Sequence, residues 1–208
     1  MAAAPARPED SEAARLIART AARLFARKGF EATSTREIVE ESGVTKPTLY
    51  YHFGSKEGLA RAIVLDPLTA LAERLERIVR EETDPFESLV GIVEAHFDFC
   101  REEPDRSRLF FAAAFGPPES DVARLMECDK GNLKGWTEAA FGRCVEAGMV
   151  DPGDVEAFSA MFRGMLVISI IDFLYDDKPL GEGRARVLVA ALLRAFEGRR
   201  GAGPDGRT

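Results

Sequence analysis

Cysteine, histidine and long apolar runs are all scarce in this sequence, and each scarcity argues against a class of protein. The 208 residues include three cysteines, at the separated positions 100, 128 and 144, and two histidines. An odd number of scattered thiols predicts reduced cysteines rather than a disulfide framework. His96 and Cys100 have the i, i+4 spacing of zinc ligands on a helix, but no second pair completes a site. We therefore expect no metal.

Signatures of catalysis and of export are also missing. The sequence has no phosphate loop, nucleophile elbow or metal-ligand cluster, so we expect neither an enzyme nor a cofactor. The first ten residues, MAAAPARPED, lack the apolar segment of a signal peptide. The longest apolar run, residues 165–175, is interrupted by Ser169 and Asp172 and is shorter than a bilayer span. These features predict a cytoplasmic protein with no membrane partner.

The net charge of −7 is unevenly distributed along the chain. Residues 1–58 hold nine Lys and Arg against eight Asp and Glu, whereas residues 59–208 hold nineteen against twenty-seven. An acidic body argues against a protein that coats nucleic acid without sequence preference. It does not exclude contact through a single helix, because such contact depends on the local field.

The periodicity of apolar residues is helical almost throughout, and no segment alternates as a strand would. The sequence therefore predicts an all-α protein. Apart from two short helices within residues 33–57, we expect helices at about residues 11–28, 56–82, 86–102, 106–115, 120–147, 152–175 and 184–197. Pro67 predicts a kink or break in the helix that contains it. The two ends, residues 1–10 and 199–208, are expected to be disordered.

Residues 33–57, TSTREIVEESGVTKPTLYYHFGSKE, carry the most information about function. Ser34 is placed to cap a helix, and Glu37 three residues later is placed to complete a capping box. Gly43 supplies the permissive backbone of a tight turn, and Thr45 is placed to cap the next helix. The pattern predicts two short helices joined by a tight turn.

The second short helix has an apolar side formed by Leu49 and Phe53 at i and i+4. Its other surfaces carry basic, hydroxyl and aromatic residues: Lys46, Pro47, Thr48, Tyr50, Tyr51 and His52. A helix of this length can enter a DNA major groove, and these side chains suit bases and phosphates. The segment is therefore interpreted as a helix-turn-helix that binds DNA. A packing role alone would not require this pattern.

Over residues 13–59 the chain resembles the TetR family of bacterial regulators, through FARKGFEATS followed by TREIVEESGVTKPTLYYHFGSKEGL. The resemblance implies a three-helix DNA-binding domain at residues 11–58 and an all-helical ligand-binding and dimerisation domain at residues 59–198. It also implies a homodimeric repressor on a pseudo-palindromic operator. A small apolar or amphipathic effector would release such a repressor from double-stranded DNA.

The resemblance assigns DNA contacts position by position. Arg36 matches an arginine that pairs with guanine, and Lys46 and Pro47 match base-edge positions. Tyr50 and Tyr51 match positions that touch thymine methyls, bases or phosphates. The remaining DNA-binding positions are Thr35, Thr45, Thr48, His52 and Lys56, of which all but Thr45 match phosphate contacts.

Two residues depart from the family pattern. Pro47 stands where many members have a small residue, which puts the approach of the backbone to DNA in question. Gly58 stands where a helix former is usual, and we expect it to loosen the start of its helix by about 1 kcal/mol relative to alanine.

Aromatic residues are concentrated after residue 60, where helical spacing is most often that of a core. The resemblance raises the alternative of a ligand pocket. Candidate lining residues are His96, Phe97, Phe110, Phe111, Phe115, Trp136, Phe141, Phe162 and Arg163. Arg163 lies in an apolar stretch and needs a partner, either an anionic ligand group, a salt bridge or solvent.

The last two helices, the eighth and ninth, are expected to form the dimer interface as a four-helix bundle across a two-fold axis. The alternative is an intrachain packing face. Two other functions remain open: a regulator that activates or requires a co-repressor, and a helical sensor or scaffold that does not bind DNA.

Overall fold

The computed structural model describes residues 11–117 and 121–197, without the side chains at 121, 125 and 127–132. The described residues form nine α-helices and one 3-10 turn, and they contain no strand, so the all-α prediction is confirmed. The helices are α1 (Glu12–Lys28), α2 (Thr35–Ser42), α3 (Lys46–Phe53), α4 (Lys56–Glu81), α5 (Pro85–Glu102), α6 (Pro104–Phe115), α7 (Asp121–Glu146), α8 (Val155–Tyr175) and α9 (Arg184–Glu197), with the turn at Pro152–Asp154. The predicted disorder of residues 1–10 and 199–208 lies outside the described residues.

The first three helices begin at side chains that accept a hydrogen bond from the backbone. Ser11 Oγ accepts from the amide of Ala14 at 3.1 Å, and Ser34 Oγ accepts from that of Glu37 at 3.1 Å. Thr45 Oγ1 accepts from the amide of Thr48 at 3.4 Å. Each cap satisfies one of the amides that a helix start leaves without a partner, which confirms the predicted starts.

The capping box expected at α2 forms only in its first half. The Glu37 carboxylate pairs with the ammonium group of Lys28, at the end of α1, instead of turning back to the amide of Ser34. A charged donor makes a stronger hydrogen bond with a carboxylate than a neutral amide does. Glu37 therefore ties α2 to α1.

Two prolines lie inside or at the start of helices. Pro67 lies inside α4, which continues through it, so the break is excluded and the alternative of a kink stays a prediction. Val64 and Leu68 are buried on either side of it, and this packing offsets the roughly 3 kcal/mol that an internal proline costs. Helix α5 ends at Glu102, as predicted, and Pro104 is the first residue of α6, where a missing amide donor costs nothing.

The chain divides into two compact units, residues 1–70 with 103–130 and residues 71–102 with 131–208. We call them the first and second unit. In the first unit α6 packs against α1, which is why it joins the N-terminal helices although 50 residues of chain separate it from α3. These units do not follow the boundary expected at residue 58. The functional division at that residue stays a prediction.

Each unit has its own core. In the first unit Ile17, Leu24, Ile38 and Leu49 are fully buried. In the second unit the core is aromatic, with Phe97, Phe158 and Phe162 fully buried. Phe158 makes edge-to-face contacts with Phe141 at 5.3 Å and with Phe196 at 5.3 Å. Such ring pairs add to the stabilisation from buried area.

Residues Pro152–Tyr175 form a 24-residue helical stretch, within which a window of 18 residues has a mean hydropathy of 1.7. By length and composition alone this stretch could cross a membrane, and 33% of that window is buried within the protein. The expectation that no apolar segment is long enough is therefore corrected. The apolar residues on both sides of Arg163 and Asp172 outweigh these two isolated charges in the window.

Two of the cysteines are buried thiols, Cys100 and Cys144. Burial raises the pKa of Cys144 to about 11, which keeps it protonated and unreactive at neutral pH. Among the described residues no group of three or more His, Cys, Asp or Glu side chains is arranged to hold a metal ion.

Gly58, one of the two departures from the family pattern, has a steric reason. A Cβ atom at this position would lie 2.1 Å from the backbone oxygen of Phe53, so the start of α4 has no room for a side chain. We predict that Gly58→Ala destabilises the protein, because this clash outweighs the gain of about 1 kcal/mol in helix propensity. Chemical denaturation measures the change.

Gly142 provides the matched control, since it lies in α7 with open space around its Cβ position. Gly142→Ala should stabilise the protein by about 0.5–1 kcal/mol. A Gly58→Ala variant as stable as the Gly142→Ala variant would contradict the steric explanation.

Candidate nucleic-acid interface

The geometry of the candidate interface depends on the turn between α2 and α3. Gly43 has φ 70° and ψ 11°, a left-handed conformation that glycine adopts without strain. Ile38 of α2 and Leu49 of α3 are both fully buried on the inner side of the turn. Burial of these two side chains fixes the rotation of each helix, and so decides which residues of α3 reach solvent.

The solvent-exposed surface of α3 is aromatic and basic. Tyr51 is 77% exposed and Tyr50 40% exposed, and Lys46 and Pro47 are exposed at the start of the helix. The Lys46 ammonium lies 5.8 Å from the centroid of the Tyr50 ring. Large exposed aromatic side chains cost solvation without adding to the core, so they indicate a surface that binds something.

Arg36 projects from the first turn of α2, with 85% of its side chain exposed. Its Nε donates a hydrogen bond to Glu40 Oε1 at 2.6 Å, and this bond raises the pKa of Arg36. The guanidinium is charged in any case, so its role is to present donors. A base that accepts a hydrogen bond from Arg36 Nε must displace Glu40 from this donor.

His52 has a different environment from the one expected for a phosphate contact. Its Nε2 lies 3.2 Å from Ser11 Oγ, the cap of α1, and its Nδ1 is buried without a hydrogen-bond partner among the described residues. The ring also packs edge-on against Tyr51, with centroids 5.0 Å apart. His52 therefore connects α3 to the start of α1 and orients Tyr51. Its contact with phosphate stays a prediction.

The other predicted contact positions lie around the ends of α2 and α3. Thr35 and Thr48 are half-buried, and the hydroxyls of Thr45 and Thr48 lie 2.8 Å apart. The ammonium of Lys56 lies 4.1 Å above the ring of Phe30, which holds it near the start of α4. The first unit thus holds all ten predicted DNA-binding residues: nine on α2, α3 and the start of α4, and Thr45 as the cap of α3.

The candidate ligand residues do not form one group. In the second unit Phe97, Phe141 and Phe162 are buried, and the rings of Phe141 and Phe162 lie 5.2 Å apart. His96 binds the carbonyl of Ile92 through Nδ1 at 2.8 Å, and burial lowers the pKa of its ring. These residues belong to the core of the second unit.

The remaining candidates have varied positions. Trp136 lies beneath Arg80, with the guanidinium carbon 5.3 Å from the ring centroid. Arg163 is exposed and donates to Ser159 Oγ at 2.6 Å, so solvent and a neighbouring hydroxyl satisfy its charge. The candidates in the first unit are Phe110, Phe111 and Phe115, of which Phe110 is buried and Phe115 is 69% exposed. The pocket assignment stays a prediction.

Two residues important for the site were missed from the sequence. Glu40 lies four residues after Arg36, and the spacing of ion pairs on a helix was a signal that could have identified it. Ser11 is 41 residues from His52, and no local pattern connects positions so far apart.

Comparison with known proteins shows that the segment containing the candidate interface is similar to bacterial regulatory proteins. Residues 17–63, which include all of α2 and α3, match the family model described as bacterial regulatory proteins, tetR family. The chain is similar to the HTH-type transcriptional repressor KstR2 of Mycolicibacterium smegmatis, with 37% identity over 78 residues that cover 38% of each chain. It is also similar to the HTH-type transcriptional activator FasR of the same species, with 34% identity over 104 residues, 50% of this chain and 47% of FasR.

A solved structure extends the similarity beyond these segments. The TetR family transcriptional regulator PfmR from Thermus thermophilus has a TM-score of 0.69 and 29% identity, covering 88% of this chain and 96% of PfmR. The chain matches less than half of the length of KstR2 and FasR.

Proposed function

The chain belongs to the TetR family of bacterial regulatory proteins, and on this premise we propose that it is a transcriptional regulator that binds a pseudo-palindromic operator. The observation that supports the proposal is the exposed face of α3. An α-helix with its side chains is about 10–12 Å across, which matches the roughly 12 Å width of a major groove. KstR2 and FasR, its relatives, are regulators rather than enzymes.

In the proposed complex α3 lies in the major groove. Lys46 and Pro47, at its N-terminal end, meet base edges, and the rings of Tyr50 and Tyr51 contact thymine methyls or the sugar-phosphate backbone. Arg36 leaves Glu40 and donates two parallel hydrogen bonds to guanine. The threonines and Lys56 bind phosphates, which fixes the register of the helix on the duplex.

Repression with effector-induced release is the proposed direction of regulation. KstR2 is a repressor and FasR an activator, so the family accommodates both directions. The effector is proposed to be small and apolar or amphipathic, since the aromatic side chains favour such a ligand. A cytoplasmic location is part of the same proposal.

The proposed dimer interface is the exposed stripe of α8. Apolar residues recur along it at alternating intervals of four and three: Ala157, Met161, Gly164, Ile168, Ile171 and Tyr175. Ile168 is 57% exposed and Tyr175 56% exposed, so the stripe faces solvent within one chain. Alternation of four and three is the pattern of a seam between two helices, and small residues permit close approach.

Helix α9 widens this surface. It packs on α8 within the second unit, and it exposes Val187, which is 66% accessible, together with Ala191 and Ala195. Because of this stripe, α8 is apolar on its exposed side as well as on its buried side. This is one reason why its composition resembles that of a membrane-spanning helix. A second copy of the chain would cover it without a bilayer.

We predict that Arg36→Ala and Tyr51→Ala each weaken operator binding, by roughly ten- to a hundredfold, because each removes a contact with bases. The operator is first selected from a random-sequence DNA library with the unmodified protein. Binding is then measured by fluorescence anisotropy. Arg77→Ala, an exposed arginine of the second unit, is the matched control and should bind as the unmodified protein does. Failure of the unmodified protein to select any DNA would favour the sensor or scaffold function, and equal affinity of all four proteins would contradict the proposed base contacts of Arg36 and Tyr51.

We predict that Ile168→Glu converts a dimer into a monomer, because the interface would have to bury an unpaired carboxylate. Light scattering coupled to size exclusion should give twice the 22.8 kDa chain mass before the substitution and one chain mass after it. Leu16→Glu is the control, since Leu16 is 46% exposed on α1 and lies outside the stripe. A monomer that associates with lipid vesicles before the substitution would favour the membrane alternative.

The effector proposal predicts that a small molecule copurifies with the protein from its native host. Native mass spectrometry should detect the added mass, and the released compound should dissociate the operator complex when it is returned. Stronger operator binding in its presence would instead assign the co-repressor function.

A further inference from the structure

The solvent face of α1 is strongly basic. Four arginines recur at intervals of four residues, Arg15, Arg19, Arg23 and Arg27, and all four are exposed. Residues at this interval lie on one side of a helix, about 6 Å apart along its axis. We call these residues the arginine row. The remainder of the helix is largely buried, including Ile17, Ala21 and Leu24.

The arginine row is continuous with the α2–α3 surface. Ser11, four residues before Arg15, contacts His52 near the end of α3, so the row begins at the recognition helix. Farther along, Arg23 pairs with Glu41 of α2 at 2.8 Å. Arg15 and Arg19 lie between these two contacts. Neither is within ion-pair distance of a carboxylate that the structure describes.

We propose that Arg15 and Arg19 bind phosphates of the DNA that flank the sequence read by α3. The inference rests on the proposed function, and it adds a second helix to the contact surface. Two guanidinium groups on one helix face, with no carboxylate of residues 11–117 or 121–197 paired to them, favour an anionic partner. Arginine forms paired hydrogen bonds with phosphate oxygens, so the row suits a sugar-phosphate backbone.

The position of the arginine row next to α3 favours DNA over an acidic protein surface as its partner. A protein partner could approach any exposed face of the first unit, whereas the row starts at the helix that enters the groove. Arg23 is already neutralised by Glu41, whereas Arg15 and Arg19, the two arginines of the row nearest to α3, have no such partner among the described residues. These contacts would carry no sequence information and would add affinity that depends on salt.

The test compares the double variant Arg15→Gln, Arg19→Gln with the unmodified protein on the operator selected by the latter. Each lost phosphate contact lowers the slope of log affinity against log salt by about 0.9, so the double variant should lose about 1.8 per half-site. The double variant Arg77→Gln, Lys134→Gln is the control, since it removes the same charge from exposed positions of the second unit. Its slope should remain unchanged.

A second measurement locates the contacts. Shortening the duplex on both sides of the operator should weaken the unmodified protein but not the double variant, because that variant no longer binds the flanks. Thermal denaturation should show both variants folded, since the substituted side chains are exposed.

The outcomes separate this inference from the proposed function. If the unmodified protein selects no DNA, the proposed function fails, and the row loses the premise on which it rests. If it selects an operator and the double variant keeps the full salt slope, the row inference is overturned and the proposed function stands. The inference would also be overturned if the double variant formed a smaller oligomer than the unmodified protein while keeping the same salt slope. That result would assign the arginine row to contacts between chains.

Discussion

The surface proposed to read DNA depends on the burial of two side chains across one tight turn. Ile38 and Leu49 are completely enclosed, and Gly43 gives the backbone the left-handed turn that brings them together. Helices of eight residues are not stable alone in water, because nucleation costs more than so few hydrogen bonds return. Tertiary packing must therefore hold α2 and α3, and the rotation it imposes places Tyr51 in solvent.

Helix α1 completes this arrangement through polar contacts at both of its ends. Lys28 pairs with Glu37 near its C-terminus, and Ser11 contacts His52 at its N-terminus. Each contact alone contributes little, since such pairs are partly exposed and screened by salt. Their value is geometric. They fix two short helices against one longer helix, so that the residues proposed to read bases would approach DNA as a rigid set with little conformational entropy left to lose.

The sequence predicted most of the helices and the helix-turn-helix because both depend on local signals. Ser34 and Thr45 each cap the helix that follows by accepting a hydrogen bond from an amide three residues along the chain, and α9 begins and ends where its periodicity indicates. Predictions that needed knowledge of distant neighbours were less successful. The carboxylate of Glu37 pairs with Lys28 instead of the Ser34 amide, and packing offsets the cost of Pro67 inside α4. Helix α6 packs with the N-terminal helices, from which it is remote in sequence. The assignment of the ligand candidates stays a prediction, because a pattern of aromatic residues does not distinguish a core from a pocket.

The contact between Arg36 and Glu40 connects the structure to specificity. The guanidinium of Arg36 already has a carboxylate partner, so a new anion must replace the hydrogen bond to Glu40, and breaking that bond costs free energy. An isolated phosphate in water has a charge comparable to that of the Glu40 carboxylate, so exchanging one for the other would bring little net gain in free energy. In the proposed complex guanine would offer two acceptors in a fixed geometry, which would make the exchange of partners favourable. Glu40 can thus sharpen the discrimination between operator and other DNA by weakening the contacts that any sequence would provide.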